Sequence, residues 1–172
     1  MAKAVSAILA LGGNLGDRYQ NIKGAIKALD AVDGITVTAK SKLVESIALT
    51  EEGLDNSKPA YLNGVVRIET TLKPKELLAQ IRQIETDFGR IRVERWGSRT
   101  LDIDIIVFGS VLKSGKQLTL PHPRAFERSF VLVPWASLEP DAILPGHGSV
   151  AKLAAELAHE VTWFEKPAKV KS

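Results

Sequence analysis

The sequence predicts an α+β fold, a ferredoxin-like α/β sandwich with a mainly antiparallel sheet and helices packed on it. Stretches of strand and helix character alternate irregularly, and connections such as Phe108 to Leu118 are short enough to join antiparallel neighbours. With 172 residues and 45% hydrophobic content there is material for one good core, so residues 1–165 read as a single domain. The remaining Lys166 to Ser172, basic and proline-containing, read as a frayed tail.

Val5 to Leu11 reads as the first strand, ended by Gly12-Gly13-Asn14, after which Asp17 caps a helix with Ile22, Ala25, Ile26 and Leu29 on one face. The glycines fit neither a dinucleotide fingerprint nor a Walker A loop, so a tight turn and contact with a ligand are both open. Ile35 to Glu45 alternates as a second strand and Tyr61 to Leu72 as a third. Between them, Ser46 to Pro59 reads as a long exposed loop, of the kind that often serves as a lid. Tyr61, Asn63 and Val65 share a face of the third strand, which sets an aromatic plane beside a donor and acceptor amide. That pair suits a heterocycle, although core packing is the plainer use of the same residues.

Pro74 opens a second helix with a stripe of Leu77, Leu78, Ile81, Ile84 and Phe88, and Gly89 ends it. Gly109 to Lys116 then reads as a loop and Gln117 to Leu120 as a short strand. Two prolines flank His122, which keeps it out of a helix and leaves it extended and exposed. Phe130 to Trp135 reads as a last strand with Arg128 and Phe130 on one face, and Ser149 to Glu160 as a helix with Val150, Leu153, Ala154 and Leu157 inward. Trp163 and Phe164 are expected to dock this end onto the core.

Composition narrows the chemistry only a little. The chain has no cysteine, which rules out disulfides and thiolate metal sites and fits a cytoplasmic protein. Its N-terminus lacks the long apolar region of a secretory signal, and no run reaches membrane-span length. A formal charge of +3 favours anionic ligands in general.

The informative stretch is Leu101 to Phe108, a continuous aliphatic and β-branched run that reads as a strand buried on both faces. Alternation puts Asp102 and Asp104 on one side with Cα atoms about 6.5–7 Å apart. Two acids on a buried strand need cations, either basic side chains or metal ions. Arg90, Arg92, Arg95 and Arg99 lie just upstream, and guanidinium groups beside hard oxygen ligands make a receptacle for a Mg²⁺-polyphosphate. A charge run is usually a solvated face, but Gly97, Trp96 and the adjacent acids set this one apart.

At Arg95-Trp96-Gly97-Ser98-Arg99-Thr100-Leu101-Asp102-Ile103-Asp104 the chain resembles the 6-hydroxymethyl-7,8-dihydropterin pyrophosphokinases of folate biosynthesis. Leu11-Gly12-Gly13-Asn14-Leu15-Gly16-Asp17, Tyr61-Leu62-Asn63 and Pro121-His122-Pro123-Arg124 support the resemblance in the family's order. It implies a similar fold and transfer of pyrophosphate from ATP to the hydroxymethyl of a reduced pterin. By position it implies Asp102 and Asp104 as ligands of two Mg²⁺ ions, and Arg90, Arg92, Arg99, His122 and Arg128 as phosphate contacts, with Arg90 and Arg99 catalytic. The Ile105 backbone and Thr119 fall where the family holds the nucleoside. Tyr61 and Phe130 match the aromatic pair around the pterin, Asn63 its edge reader and Trp96 the lid tryptophan. Two departures stand out: Glu45-Ser46-Ile47-Ala48-Leu49 replaces a Thr-Pro-Pro type run, and Phe126 occupies an often polar position, so neither receives a role.

ATP and the pterin are thus the expected partners of a monomer that engages neither nucleic acid nor membrane. Two alternatives stand beside this reading. A basic nucleic-acid-binding module would not set a buried acid pair against a polyanion, and a two-metal phosphohydrolase would recruit further acids or histidines.

Overall fold

Two long strands in the middle of one antiparallel sheet organise everything else. The computed structural model of the chain describes residues 3–50, 53–55, 60–89 and 100–165. In order they form β1 (Val5–Gly13), α1 (Arg18–Asp30), β2 (Ile35–Lys40), β3 (Val44–Ser46), β4 (Ala48–Thr50), β5 (Gly53–Asp55) and β6 (Tyr61–Thr70). Then follow α2 (Pro74–Asp87), β7 (Asp102–Phe108), α3 (Ser129–Leu138), β8 (Ile143–Leu144), β9 (Gly148–Ser149), α4 (Val150–Leu157) and β10 (Val161–Trp163).

The sheet runs β10-β3-β6-β1-β7, with β2 also paired to β6. Within it, β1-α1-β2-β6-α2-β7 with spatial order β2-β6-β1-β7 is the split β-α-β arrangement that the sequence predicts. Every pairing in this sheet is antiparallel.

Alternation along the strands divides the core in two. Ala7, Leu9, Leu11, Leu62, Val66, Ile103 and Ile105 pack with Ile22, Ala25 and Leu29 of α1 and Leu77, Ile81 and Ile84 of α2. On the other face Ile8, Val65 and Ile106 pack with Val131, Leu132 and Trp135 of α3 and Val150 and Ala154 of α4. Both predicted helices on the first face have their expected ends. Asp17 Oδ1 accepts from the Gln20 N–H at 3.1 Å, Pro74 sits in the first turn of α2, and Gly89 terminates it with φ 79°.

Four readings need correction. Phe130 to Trp135 is helix α3, not a strand. The run is apolar all round because α3 is enclosed between the sheet and α4, and Pro134, which cannot donate to a central ladder, is the signal against a strand. Gln117 to Leu120 reduces to one bridge, Lys113 to Leu120, because this loop pairs with itself while the His122 N–H takes the Ile106 carbonyl of β7 at 2.8 Å. The second strand splits at residues 41–43. There the Ser41 N–H and Oγ bond the Val65 carbonyl and N–H, each at 2.9 Å, and the Leu43 side chain packs over Gly64 in space that a Cβ would fill. Finally, Trp163 does not dock. It lies on the outermost strand, 48% exposed, while Phe164 packs against Tyr19 and donates its N–H to the Leu43 carbonyl. The Ser46 to Pro59 stretch contains the β4-β5 hairpin, and its residues 51, 52 and 56–59 lie outside the described residues.

Candidate functional site

The site begins with a row across the sheet. Gly12 on β1 pairs with Asn63 on β6 and with Asp102 on β7, and Ala10 pairs in the same way with Val65 and Asp104. Paired residues present their side chains to one face. Tyr61, Asn63, Asp102 and Asp104 therefore look out on the side of α3, beyond the part of the sheet that α3 and α4 cover. Asn63 and Asp102 are two strand spacings apart, about 9.5–10 Å between Cα atoms.

Gly12 is what leaves room between them. A Cβ at this position would collide with the Asn63 Oδ1 and press on its Cγ. Asn63 is buried, and its amide is held over Gly12 by donating from Nδ2 to the Ser46 Oγ at 3.3 Å. Ser46 received no role from the sequence. Its signal is register, since it pairs with Tyr61, two residues from Asn63.

Asp102 and Asp104 are half-buried, so the expectation of a strand buried on both faces holds only for the far half of β7. The reason is position. Among the described residues β7 pairs with β1 alone, and the α3 and α4 core reaches only as far as Ile106 and Val107, where a bulge interrupts the register.

The segment from Pro121 to Phe130 forms the opposing wall. His122 is fixed to the edge of β7 by its N–H, and its Nδ1 accepts from the Arg124 N–H at 3.2 Å. A neutral imidazole so arranged carries its proton on Nε2, which lies 4.0 Å from the Asp104 Oδ2. Burial, then Arg128 and Arg124, lower the His122 pKa from 6.5 to about 4 against the opposing pull of Asp102, so the approach to Asp104 is not an ion pair at neutral pH. Arg128 is the cation here. Its Nη1 lies 3.6 Å from the Asp104 Oδ2, and its guanidinium stands 5.7 Å above the centroid of the Phe130 ring. Burial lowers the Arg128 pKa and Asp104 counters it, which leaves a charged guanidinium. Arg128 and Phe130 meet because Arg128 precedes α3 and folds back over its first turn, not because they share a strand face.

Other predicted residues are not brought into this cluster. The Ile105 side chain packs in the α1 and α2 core, which leaves the expectation for its backbone untouched, and the Thr119 hydroxyl donates to the Gly115 carbonyl in its own loop at 3.3 Å. Arg90, Arg92, Arg95, Trp96 and Arg99 lie outside the described residues. Phe126, left without a role, stacks on His147 with centroids 4.3 Å apart. A further residue escapes sequence reading altogether: Glu85 of α2 is buried and its Oε2 accepts from the Ile103 N–H at 2.9 Å. Its signal is helical spacing, four residues beyond Ile81 and eight beyond Leu77 on the buried stripe.

Residues 8–140 match the sequence family described as 7,8-dihydro-6-hydroxymethylpterin-pyrophosphokinase (HPPK). The chain is 40% identical over 162 residues to the 2-amino-4-hydroxy-6-hydroxymethyldihydropteridine pyrophosphokinase of Synechocystis sp., covering 94% of this chain and 80% of that one. It is 34% identical to the Haemophilus influenzae enzyme of the same name, over 90% of this chain and 94% of the relative. The chain belongs to this family. Its activity is therefore pyrophosphate transfer in folate biosynthesis, and neither a phosphohydrolase nor a nucleic-acid module finds support. In three dimensions it is similar to wild-type Plasmodium falciparum HPPK-DHPS with pteroate, with TM-score 0.68 and 15% identity. That likeness covers 91% of this chain and 43% of the other, less than half its length, and bears on the fold alone. No helix among the described residues is long and apolar enough to cross a membrane.

Two outcomes follow from this geometry. Gly12→Ala should cost about 1–3 kcal/mol in urea unfolding by overpacking against Asn63, and adding Asn63→Ala should recover part of that loss, a coupling that a double-mutant cycle measures. In the ligand-free protein the His122 imidazole should stay neutral as pH falls through 6.5, titrating only near 4, as read by nitrogen NMR of the ring. Because the folded pKa is depressed, the stability tied to neutral His122 is complete above about 6.5 and is lost as pH falls toward 4.

Proposed function

We propose that the cleft between the Asn63, Gly12 and Asp102 row and the Pro121 to Phe130 wall is where pyrophosphate passes from ATP to the hydroxymethyl group of 6-hydroxymethyl-7,8-dihydropterin. The register of that row carries the reading, because it sets a hydrogen-bonding amide and two carboxylates on one open face. Tyr61 and Phe130 stack on the pterin, Asn63 reads its edge, and Trp96 closes over it. Asp102 and Asp104 face the triphosphate with His122 and Arg128.

The aspartates suit Mg²⁺. They are hard oxygen donors on one face, half-buried and open to the cleft, and among the described residues no group of three or more acids or histidines surrounds an ion. Mg²⁺ keeps several waters and shares phosphate oxygens, so two carboxylates are a sufficient protein share. Bound there, two ions would neutralise the triphosphate and lower the pKa of the pterin hydroxyl.

The chain's own groups do the positioning. The His122 Nε2–H, neutral at physiological pH, donates to a phosphate oxygen without contributing charge, and Arg128 supplies the charge beside it. The pterin hydroxyl oxygen attacks the β-phosphorus, the bond from that phosphorus to the α-phosphate oxygen breaks, the hydroxyl proton is lost, and AMP departs. Ile105 lies two residues along β7 from Ile103, whose N–H faces the outer edge toward Glu85, and this period-two relation supports the Ile105 backbone, with Thr119, as the contact of the nucleoside. Arg90, Arg92 and Arg99 hold phosphates as the lid that the family motif supports, with Arg90 and Arg99 tightening in the transition state. We read residues 1–165 as one domain and the protein as a cytoplasmic monomer, in keeping with a cysteine-free chain whose described site residues come from a single sheet and its flanking segments.

Titration with Mg²⁺, a non-hydrolysable ATP analogue and pterin should show binding of the nucleotide that depends on the metal. Asp102→Asn should lower turnover by orders of magnitude while the fold survives, and near-full Mg²⁺-dependent activity in this variant would sink the assignment. Tyr61→Ala or Phe130→Ala should weaken pterin binding by about 1–3 kcal/mol, judged from nucleobase stacking, with ATP affinity unchanged in calorimetry.

A further inference from the structure

Glu85 sits where a carboxyl is costly twice over. It is 3% exposed, and it lies in the last turn of α2, whose negative end disfavours an acid. Its Oε2 nevertheless accepts from the Ile103 N–H at 2.9 Å, across 18 residues of sequence. That N–H belongs to the peptide joining Asp102 to Ile103, and Ile103 is the residue between the two aspartates. Because β7 has only β1 beside it among the described residues, its outer N–H groups have no strand to bond.

We propose that Glu85 is a positioning residue for Asp102 and Asp104, a clamp on the strand edge that fixes the pair from the opposite face of the sheet. The Ile103 side chain and the apolar stripe of α2 lie in one core, whereas the aspartates look out on the other side, so Glu85 reaches the peptide from the α2 side of the sheet. Rotation of that peptide about the strand axis would turn the two carboxylates out of their common plane. The hydrogen bond opposes that rotation. The clamp itself requires an acceptor oxygen at this reach, which a glutamine also carries, so it is separable by substitution from whatever the charge of Glu85 contributes elsewhere. It rests on the reading of Asp102 and Asp104 as metal ligands.

The test compares Glu85→Ala with Glu85→Gln, which keeps an acceptor oxygen at the same reach. Amide hydrogen exchange at Ile103 is measured in the ligand-free proteins, and Mn²⁺ binding in the presence of a non-hydrolysable ATP analogue. In Glu85→Ala the Ile103 amide should lose protection and Mn²⁺ affinity should fall about 10–100-fold, the usual cost of removing a support behind a metal ligand. In Glu85→Gln both should stay near wild type. Wild-type Mn²⁺ affinity in Glu85→Ala with an unprotected Ile103 amide overturns the clamp and leaves Glu85 structural, and equal losses in both variants overturn it in favour of charge. If the wild-type protein itself takes up no Mn²⁺ with the nucleotide, the metal reading fails first and the clamp with it.

Discussion

The absence of a side chain at Gly12 is the constraint on which the rest of the site depends. Its two neighbours in the ladder carry the buried amide of Asn63 and the carboxylate of Asp102, and only a bare backbone between them lets the Asn63 amide lie down over the sheet on this side of Asp102. Asn63 in turn fills the space that Gly12 vacates, and Ser46 holds it there. The glycine thus serves the packing of the amide. Gly12 and Gly13 are not a tight turn: both lie in β1, paired with Asn63 and Leu62, and the glycine at position 12 is required by the close approach of the Asn63 side chain.

Charge in the cleft is arranged asymmetrically. Among the described residues both carboxylates stand on the edge strand of the sheet, and the facing wall sets the Arg128 guanidinium nearest to Asp104, with Arg124 also close by, beside an imidazole that burial keeps neutral. A second fixed positive charge at His122 would draw Asp104 into a tighter pair and occupy the oxygen that faces the cleft. With a neutral donor there, Asp104 keeps an ion contact of 3.6 Å to Arg128, longer than a good hydrogen bond.

Much of this was legible in the sequence, for reasons that can be stated residue by residue. The helices α1 and α2 announce themselves through spacing and caps, and the same-face relation of Asp102 to Asp104 needs nothing beyond strand alternation. Alternation within one strand cannot reveal which strands meet, so the Asn63, Gly12 and Asp102 row and the Ser46 bond to Asn63 were hidden until the register was known. Helix α3 was misread because β-branched and aromatic residues carry strand character when enclosure, and not amphipathicity, decides the outcome. Glu85 was passed over because an acid on an apolar stripe gives no sign of the backbone group it will meet.

The alignment of the amide with the acids is set by ladder hydrogen bonds between main chains, which every residue type except proline can supply. Exchanging Leu9, Val66 or Ile105 for another aliphatic residue alters the packing beneath the sheet but leaves the partners of Gly12 unchanged. The composition of the interior is thereby uncoupled from the order of side chains along the row. A change in the interior therefore shows in the stability of the sheet and not in which side chains stand abreast across it.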